Sequence, residues 1–245
     1  MRGWERSGPI GAAAFFAVWE LLLSRNFLQF FAVWRKIATV HPKLIPATLK
    51  ARYFMSMTDA PRRAIFLDRD GTLNKDTGYV HRKEDWQWLP GVVETLRRFH
   101  AVGYLLVVVS NQSGIARGMF GEDDLHALEA WINEDLAASN AVIDAWYYCP
   151  HLPEVTGPCD CRKPEPGLIL RAAADLNIDL ARSWMVGDRV RDMQAGLAAG
   201  CSCVLLRPPV GAYENNVPVP DGVTVVPHLA AAGVHILAPE MRAHR

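Results

Sequence analysis

The sequence predicts an α/β protein: a doubly wound, mainly parallel sheet without a large cap domain. Three observations carry this. Short apolar or β-branched runs recur from Ala64 onward, helix-period segments separate them, and most runs end on a polar residue. Near-continuous apolar runs suit strands covered on both faces, and strands alternating with helices imply parallel pairing through right-handed crossovers.

Strands are expected at 64–68 (AIFLD), 105–110 (LLVVVS), 145–149 (AWYYC), 184–188 (WMVGD) and 203–206 (CVLL). Helices are expected at 92–102 closed by Gly103, at 122–138, at 167–176, and at 190–199 closed by Gly200. Glycine just past a helix end is a stop signal. The intervals after Asn74 leave room only for short loops, which excludes a large inserted domain. Sheets of this kind bind ligands beyond the carboxyl ends of their strands, where Asp68, Ser110 and Asp188 fall.

The chain has 245 residues, half of them hydrophobic, enough for one domain at 61–245 and an extension at 1–60. Lysine plus arginine equals aspartate plus glutamate at 26 each, so no global field would hold a polyanion. Nucleic acid is therefore not expected as a partner, and phosphate binding must come from local groups. The extension is rich in Phe, Trp, Leu and Ala and repeats FFAVW at 15–19 and 30–34. Three readings stand for it: an amphipathic membrane-surface or partner helix, a weak signal peptide, or upstream sequence translated from a start codon placed too early, with Met55 or Met57 as the natural start. Glu20 and Arg25 interrupt its most apolar part, so no stable membrane insertion is expected.

The stretch DRDGTLN, Asp68 to Asn74, sets two carboxylates two residues apart directly after the first strand. Gly71 relaxes the backbone, and Asp70 and Thr72 can hold a turn through local hydrogen bonds, so both acids can face one site. A strand followed by an Asx turn would look the same.

The segment CPHLPEVTGPCDC supplies Cys149, His151, Cys159 and Cys161 as two short-spaced pairs across a Pro/Gly-rich loop. Four such ligands suit tetrahedral zinc in a closed, structural site, so a zinc-binding loop is expected; reduced free thiols are the alternative. Five cysteines clustered in this way favour metal over a disulfide framework. Cys201 and Cys203 sit on a predicted strand and receive no role. Arg162 and Lys163 follow Cys161 immediately, so a metal knot would fix both cations.

DRDGTLN, then Ser110 after LLVVV, then Lys163, then the acidic pair Asp188 and Asp192 in GDRVRD stand in the order of the motifs of the haloacid dehalogenase superfamily, which the chain resembles. From 64 to about 216 it is similar to the heptose bisphosphate phosphatase family within it, through DTGYVH, SNQSGIARG, the CxH and CxC loop, CRKPEPG and GDRVRD. The resemblance implies a Rossmann-like haloacid dehalogenase fold and a cytoplasmic, monomeric phosphoric monoester hydrolase acting on a small phosphorylated sugar. It implies magnesium held by Asp68, the main-chain carbonyl of Asp70, and Asp188. Asp68 would be the nucleophile and Asp70 the acid and base, while Ser110 and Lys163 would stabilise the phosphoryl oxygens and Asp192 would support this shell. Substrate contacts are implied for Asp76, Thr77, Gly78, Tyr79, Asn111, Gln112, Ser113, Arg162 and Arg189. Histidinol-phosphate phosphatase shares these motifs and is the nearest rival; a nucleic-acid end-processing phosphatase is a more distant one. Ser110 stands where many relatives carry threonine, which keeps the hydroxyl.

Overall fold

In a computed structural model, residues 60–207 and 217–243 are described; every reading of residues 1–59 lies outside them. The described residues form six strands: β1 (Ala64–Leu67), β2 (Leu105–Asn111), β3 (Ala145–Cys149), β4 (Trp184–Gly187), β5 (Ser202–Leu206) and β6 (Thr224–Val226). Between and after them lie α1 (Val92–Ala101), α2 (Glu122–Ala138), the single turn α3 (Pro153–Thr156), α4 (Gly167–Leu176), α5 (Val190–Ala199) and α6 (Leu229–Ala243). The strands pair in the order β3-β2-β1-β4-β5-β6, and every pairing is parallel.

The alternation of side chains along β1 divides the core into two layers. Ile65 and Leu67 join Leu106, Val108 and Val186 on the face covered by Leu96 and Phe99 of α1, Leu128 and Ile132 of α2, and Leu229 and Ile236 of α6. Ala64 and Phe66 join Val107, Val109 and Met185 on the face covered by Leu168 and Ile169 of α4 and Val190 and Met193 of α5. All four β1 residues are fully buried. Burying Phe66 or Leu67 contributes about 1.5–3 kcal/mol each, which holds the strand that carries Asp68 rigid.

The five expected strands and four expected helices are present, with differences of detail. The first helix stops at Ala101, and β2 runs one residue further, to Asn111. The sequence reading did not place β6 or α6: three residues (TVV) carry too little pattern, and α6 opens on alanines rather than on a marked apolar stripe. No domain is inserted between β1 and β2, where a short 3₁₀ turn at Lys83–Asp85 precedes α1.

Candidate active site

The acidic groups of the site sit near the ends of elements. Asp68 follows β1, and its amide still bonds the Val186 carbonyl of β4 at 3.0 Å, so the carboxylate leaves the sheet edge in a fixed direction. The chain then turns sharply: Gly71 adopts φ +82, and a Cβ there would overlap the Asp188 carboxylate. Glycine is thus required both for the left-handed backbone and for the close approach. Asp188 follows β4, and Asp192 caps the first turn of α5 by accepting the Arg189 amide at 2.9 Å.

Lys163 lies at the centre. Its ammonium reaches Asp68 Oδ1 at 2.6 Å, Asp192 Oδ1 at 2.8 Å and the Val109 carbonyl at 2.8 Å, and its side chain is 1% exposed. Burial opposes its charge, but Asp192 and Asp68 outweigh burial and raise its pKa, so it stays a cation. Burial pushes the Asp68 carboxyl up to about 6 against the opposing pull of Lys163. Asp188 is pushed up to about 8, first by burial and then by Asp68 and Asp192.

Asp70 projects from the turn into the same cleft, a space of about 260 Å³ lined by Asp68, Asp70, Asp76, Gly78, Tyr79, Ser110, Asn111, Gln112, Ser113, Lys163, Asp188, Arg189 and Arg191. Four acidic residues share the cleft with Lys163, Arg189 and Arg191, and the residues fit a cation, which would ease the entry of a phosphate. Oxygens of Asp68, Asp188 and Asp192 lie within 4.8 Å of one another, and buried Asp188 Oδ1 has no hydrogen-bond partner. Asp192 is a poorer ligand than the other two, because its oxygens already take Lys163 and the Arg189 amide.

The expected substrate contacts divide. Asp76, Gly78, Tyr79, Asn111, Gln112, Ser113 and Arg189 line the cleft; Thr77 and Arg162 do not. Arg162 turns its guanidinium to the His151 carbonyl at 3.0 Å, back towards the cysteine loop. Asn111 uses its side-chain amide on the backbone of Lys163, accepting from Lys163 N at 3.0 Å and donating to Lys163 O at 3.0 Å. Gln112 donates to Ser110 Oγ at 2.8 Å and Asp70 Oδ2 at 3.1 Å, bridging two expected catalytic groups. Two residues were missed in the sequence. Arg191 lines the cleft without an ion pair among the described residues, and Arg69 grips Asp70. Position could have found Arg191, which lies in the first turn of the helix that follows β4, at the carboxyl edge of the sheet; nothing in the sequence shows where Arg69 points.

Beside the cleft, the four predicted zinc ligands converge. Cys149 and Cys161 sulfurs are 3.1 Å apart, Cys159 lies 3.6 Å from Cys149 and 3.5 Å from Cys161, and His151 Nδ1 lies 3.6 Å from Cys149 and 3.3 Å from Cys161. Zinc–sulfur bonds of about 2.3 Å in a tetrahedron give sulfur–sulfur edges of about 3.8 Å, close to this arrangement. All five cysteines are free thiols. Burial raises the pKa of Cys149 and Cys161, so the cluster resists forming the three thiolates it could offer unless a cation sits among them.

Comparison with known proteins agrees with this geometry. The HAD-hydrolase-like family model matches residues 160–232. The D-glycero-beta-D-manno-heptose-1,7-bisphosphate 7-phosphatase of Pasteurella multocida is 53% identical over 142 residues, 56% of this chain and 77% of that protein. The protein of the same name from Escherichia coli is 48% identical over 148 residues, 58% of this chain and 78% of its own. A crystal structure of D,D-heptose 1.7-bisphosphate phosphatase from B. bronchiseptica, complexed with magnesium and phosphate, superposes with TM-score 0.66 at 35% identity, covering 72% of this chain and 99% of that one. Among the described residues no helix is long and apolar enough to cross a membrane. With an aspartate pair after β1, an acid pair after β4, a lysine that bridges Asp68 to Asp192 and relatives at about half identity, the chain belongs to the heptose 1,7-bisphosphate 7-phosphatase family of the haloacid dehalogenase superfamily.

Proposed function

We propose that residues 61–245 form a cytoplasmic, magnesium-dependent phosphatase domain, working as a monomer. It removes the 7-phosphate of D-glycero-D-manno-heptose 1,7-bisphosphate through an aspartyl phosphate on Asp68. The observation that carries the reading is the opening of Asp68, Asp70, Lys163 and Asp188 onto one cleft, in a chain whose relatives bear that name.

In the first half-reaction an Asp68 oxygen attacks phosphorus, the bond from phosphorus to the sugar oxygen breaks, and Asp70 gives its proton to that oxygen. In the second, Asp70 takes a proton from water, which attacks phosphorus and releases Asp68 and phosphate. Lys163 holds Asp68 in line before attack and turns one proton to the phosphoryl oxygens as Asp68 is consumed; Ser110 donates to the same oxygens. Asp68, Asp188 and the Asp70 carbonyl would hold magnesium, which supplies neutralisation of the phosphate charge beside the nucleophile. Arg191 offers a cation to the second phosphate, and Arg189, held by Asp188 at 3.2 Å and Asp76 at 3.7 Å, lies beside it.

The reading is tested by turnover of heptose 1,7-bisphosphate, heptose 7-phosphate and histidinol phosphate side by side. It requires the bisphosphate to have the largest kcat/KM; equal or better turnover of histidinol phosphate would replace it. Arg191→Ala should lower kcat/KM for the bisphosphate by roughly tenfold, the loss of one exposed charge-assisted contact, and leave the monophosphate nearly unchanged. Arg162→Ala should not discriminate between them.

Magnesium binding should depend on pH in a defined direction. Asp68 and Asp188 have pKa values raised by burial to about 6 and about 8, above the ordinary value of 3.8, so the metal-free folded state holds more protons than the unfolded chain in that window. Their contribution to stability is therefore full below the ordinary value and is lost as pH rises towards 8. Magnesium replaces those protons, so it should raise Tm strongly near pH 8 and weakly near pH 5. Melting curves with and without magnesium at both values check this.

The cysteine loop is read as a structural zinc site. Chelation should remove one zinc per chain and lower Tm by about 10 °C or more, with activity lost and not restored by magnesium. Metal analysis alongside thermal melts gives the answer.

A further inference from the structure

Arg69 lies between the two aspartates, is 2% exposed, and is given no role by the reaction above. Consecutive side chains normally diverge, yet here both turn to one place. Its Nε and Nη2 reach the Asp70 carboxylate at 3.1 Å and 2.8 Å (both to Oδ2), and the same Nη2 donates to the Val80 carbonyl at 2.6 Å. The backbone makes this possible: the Arg69 carbonyl accepts the amides of Thr72, Leu73 and Asn74 at 3.3, 2.8 and 3.3 Å, closing the tight turn.

The Asp70 carboxylate is held from three sides, by the Arg69 fork, by Asn74 Nδ2 at 3.0 Å and by Gln112 Nε2 at 3.1 Å, while the aspartate side chain stays 23% exposed to the cleft. Of the three, Arg69 is the one charged group, and a planar fork fixes the plane of a carboxylate where a single amide contact fixes only a distance. The Val80 carbonyl ends the loop that brings Asp76, Gly78 and Tyr79 to the cleft. One guanidinium therefore ties the orientation of Asp70 to the seat of that loop.

We propose that Arg69 is a positioning residue for proton transfer: it holds the Asp70 carboxyl towards the leaving oxygen and locks that orientation to the loop at residues 76–80. The proposal rests on the reading of Asp70 as the acid. It predicts an effect that depends on the leaving group. A sugar alkoxide is a poor leaving group and needs its proton at the moment of departure, whereas a nitrophenolate departs unaided.

The test is kcat/KM, which covers the steps through phosphoryl transfer to the enzyme, for the best sugar phosphate substrate and for p-nitrophenyl phosphate. Arg69→Met should lose on the order of 10²-fold on the sugar phosphate and less than about fivefold on the aryl phosphate, the range expected for a displaced general acid. Arg69→Gln keeps the side chain's polarity and stands in if the methionine variant does not fold. Arg69→Lys, which can reach the carboxylate or the carbonyl but not grip both, should recover part of the loss. Asp70→Asn should show the same selective loss, only larger. An equal loss on both substrates in the Arg69 variants, with Asp70→Asn still selective, would make Arg69 a general anchor of the loop and overturn the proposal. An equal loss in Asp70→Asn would remove the acid role, and the proposal with it.

Discussion

Asp68→Asn should yield a folded protein whose turnover of sugar phosphate is slower by on the order of 10⁵-fold, the scale seen when a covalent nucleophile is removed. An amide of the same shape can accept from Lys163 but cannot attack phosphorus. The same replacement should leave stability intact. Burial already pushes the Asp68 carboxyl up to about 6, so its charge is a burden in the metal-free protein at neutral pH and above. Lys163 keeps Asp192 at 2.8 Å and the Val109 carbonyl at 2.8 Å. Without magnesium, the variant should melt near pH 8 at or above the parent's temperature. Activity and stability therefore move independently, and a variant that merely unfolds would not reproduce that pattern.

Lys163→Met should affect both. The ammonium bridges Asp68 and Asp192, and oxygens of these two and Asp188 lie within 4.8 Å of one another, so its loss leaves three buried carboxylates without a lysine. Breaking a buried pair from one side costs about 3–5 kcal/mol because the remaining charge is stranded. Loss of a cation aimed at developing phosphoryl charge should slow turnover by on the order of 10³-fold. The stability loss should be largest near pH 8 without magnesium and shrink towards pH 5 as the stranded acids take protons, or when magnesium is added. Adding Asp192→Asn should restore part of the melting temperature and none of the rate. Thermal melts at two pH values and steady-state rates on both variants separate these effects.

The residues that bring this pair together were largely visible in the chain itself. AIFL and LLVVV read as buried parallel strands because both faces of such strands need apolar cover, and the position of Asp68, Ser110 and Asp188 follows from where those runs end. The cysteine and histidine spacing likewise announced a compact cluster, since two short-spaced pairs across one loop can meet without help from the rest of the fold.

What the sequence left open is the direction in which long side chains turn. Arg162 was expected to contact the substrate and instead donates to the carbonyl of His151, on the loop that carries the cysteines. Asn111 and Gln112 line the cleft, yet their amides are engaged by Lys163, Ser110 and Asp70, contacts that join parts of the chain up to 52 residues apart. Local pattern carries no record of such pairings. Arg69 was hidden for the opposite reason: its partner is the next residue, and only the turn closed by its own carbonyl brings the two side chains to one side.

The central claim is the covalent phosphoryl group on Asp68, and trapping it is the most direct measurement. Enzyme saturated with substrate and magnesium is quenched within the first turnover, reduced with borohydride, and mapped by peptide mass spectrometry. An acyl phosphate at Asp68 would appear as homoserine at that position, dependent on both substrate and magnesium and absent from Asp68→Asn. Phosphate release in a burst with Asp68 unmodified, or with the modification on Asp70 or Ser110, would contradict the account.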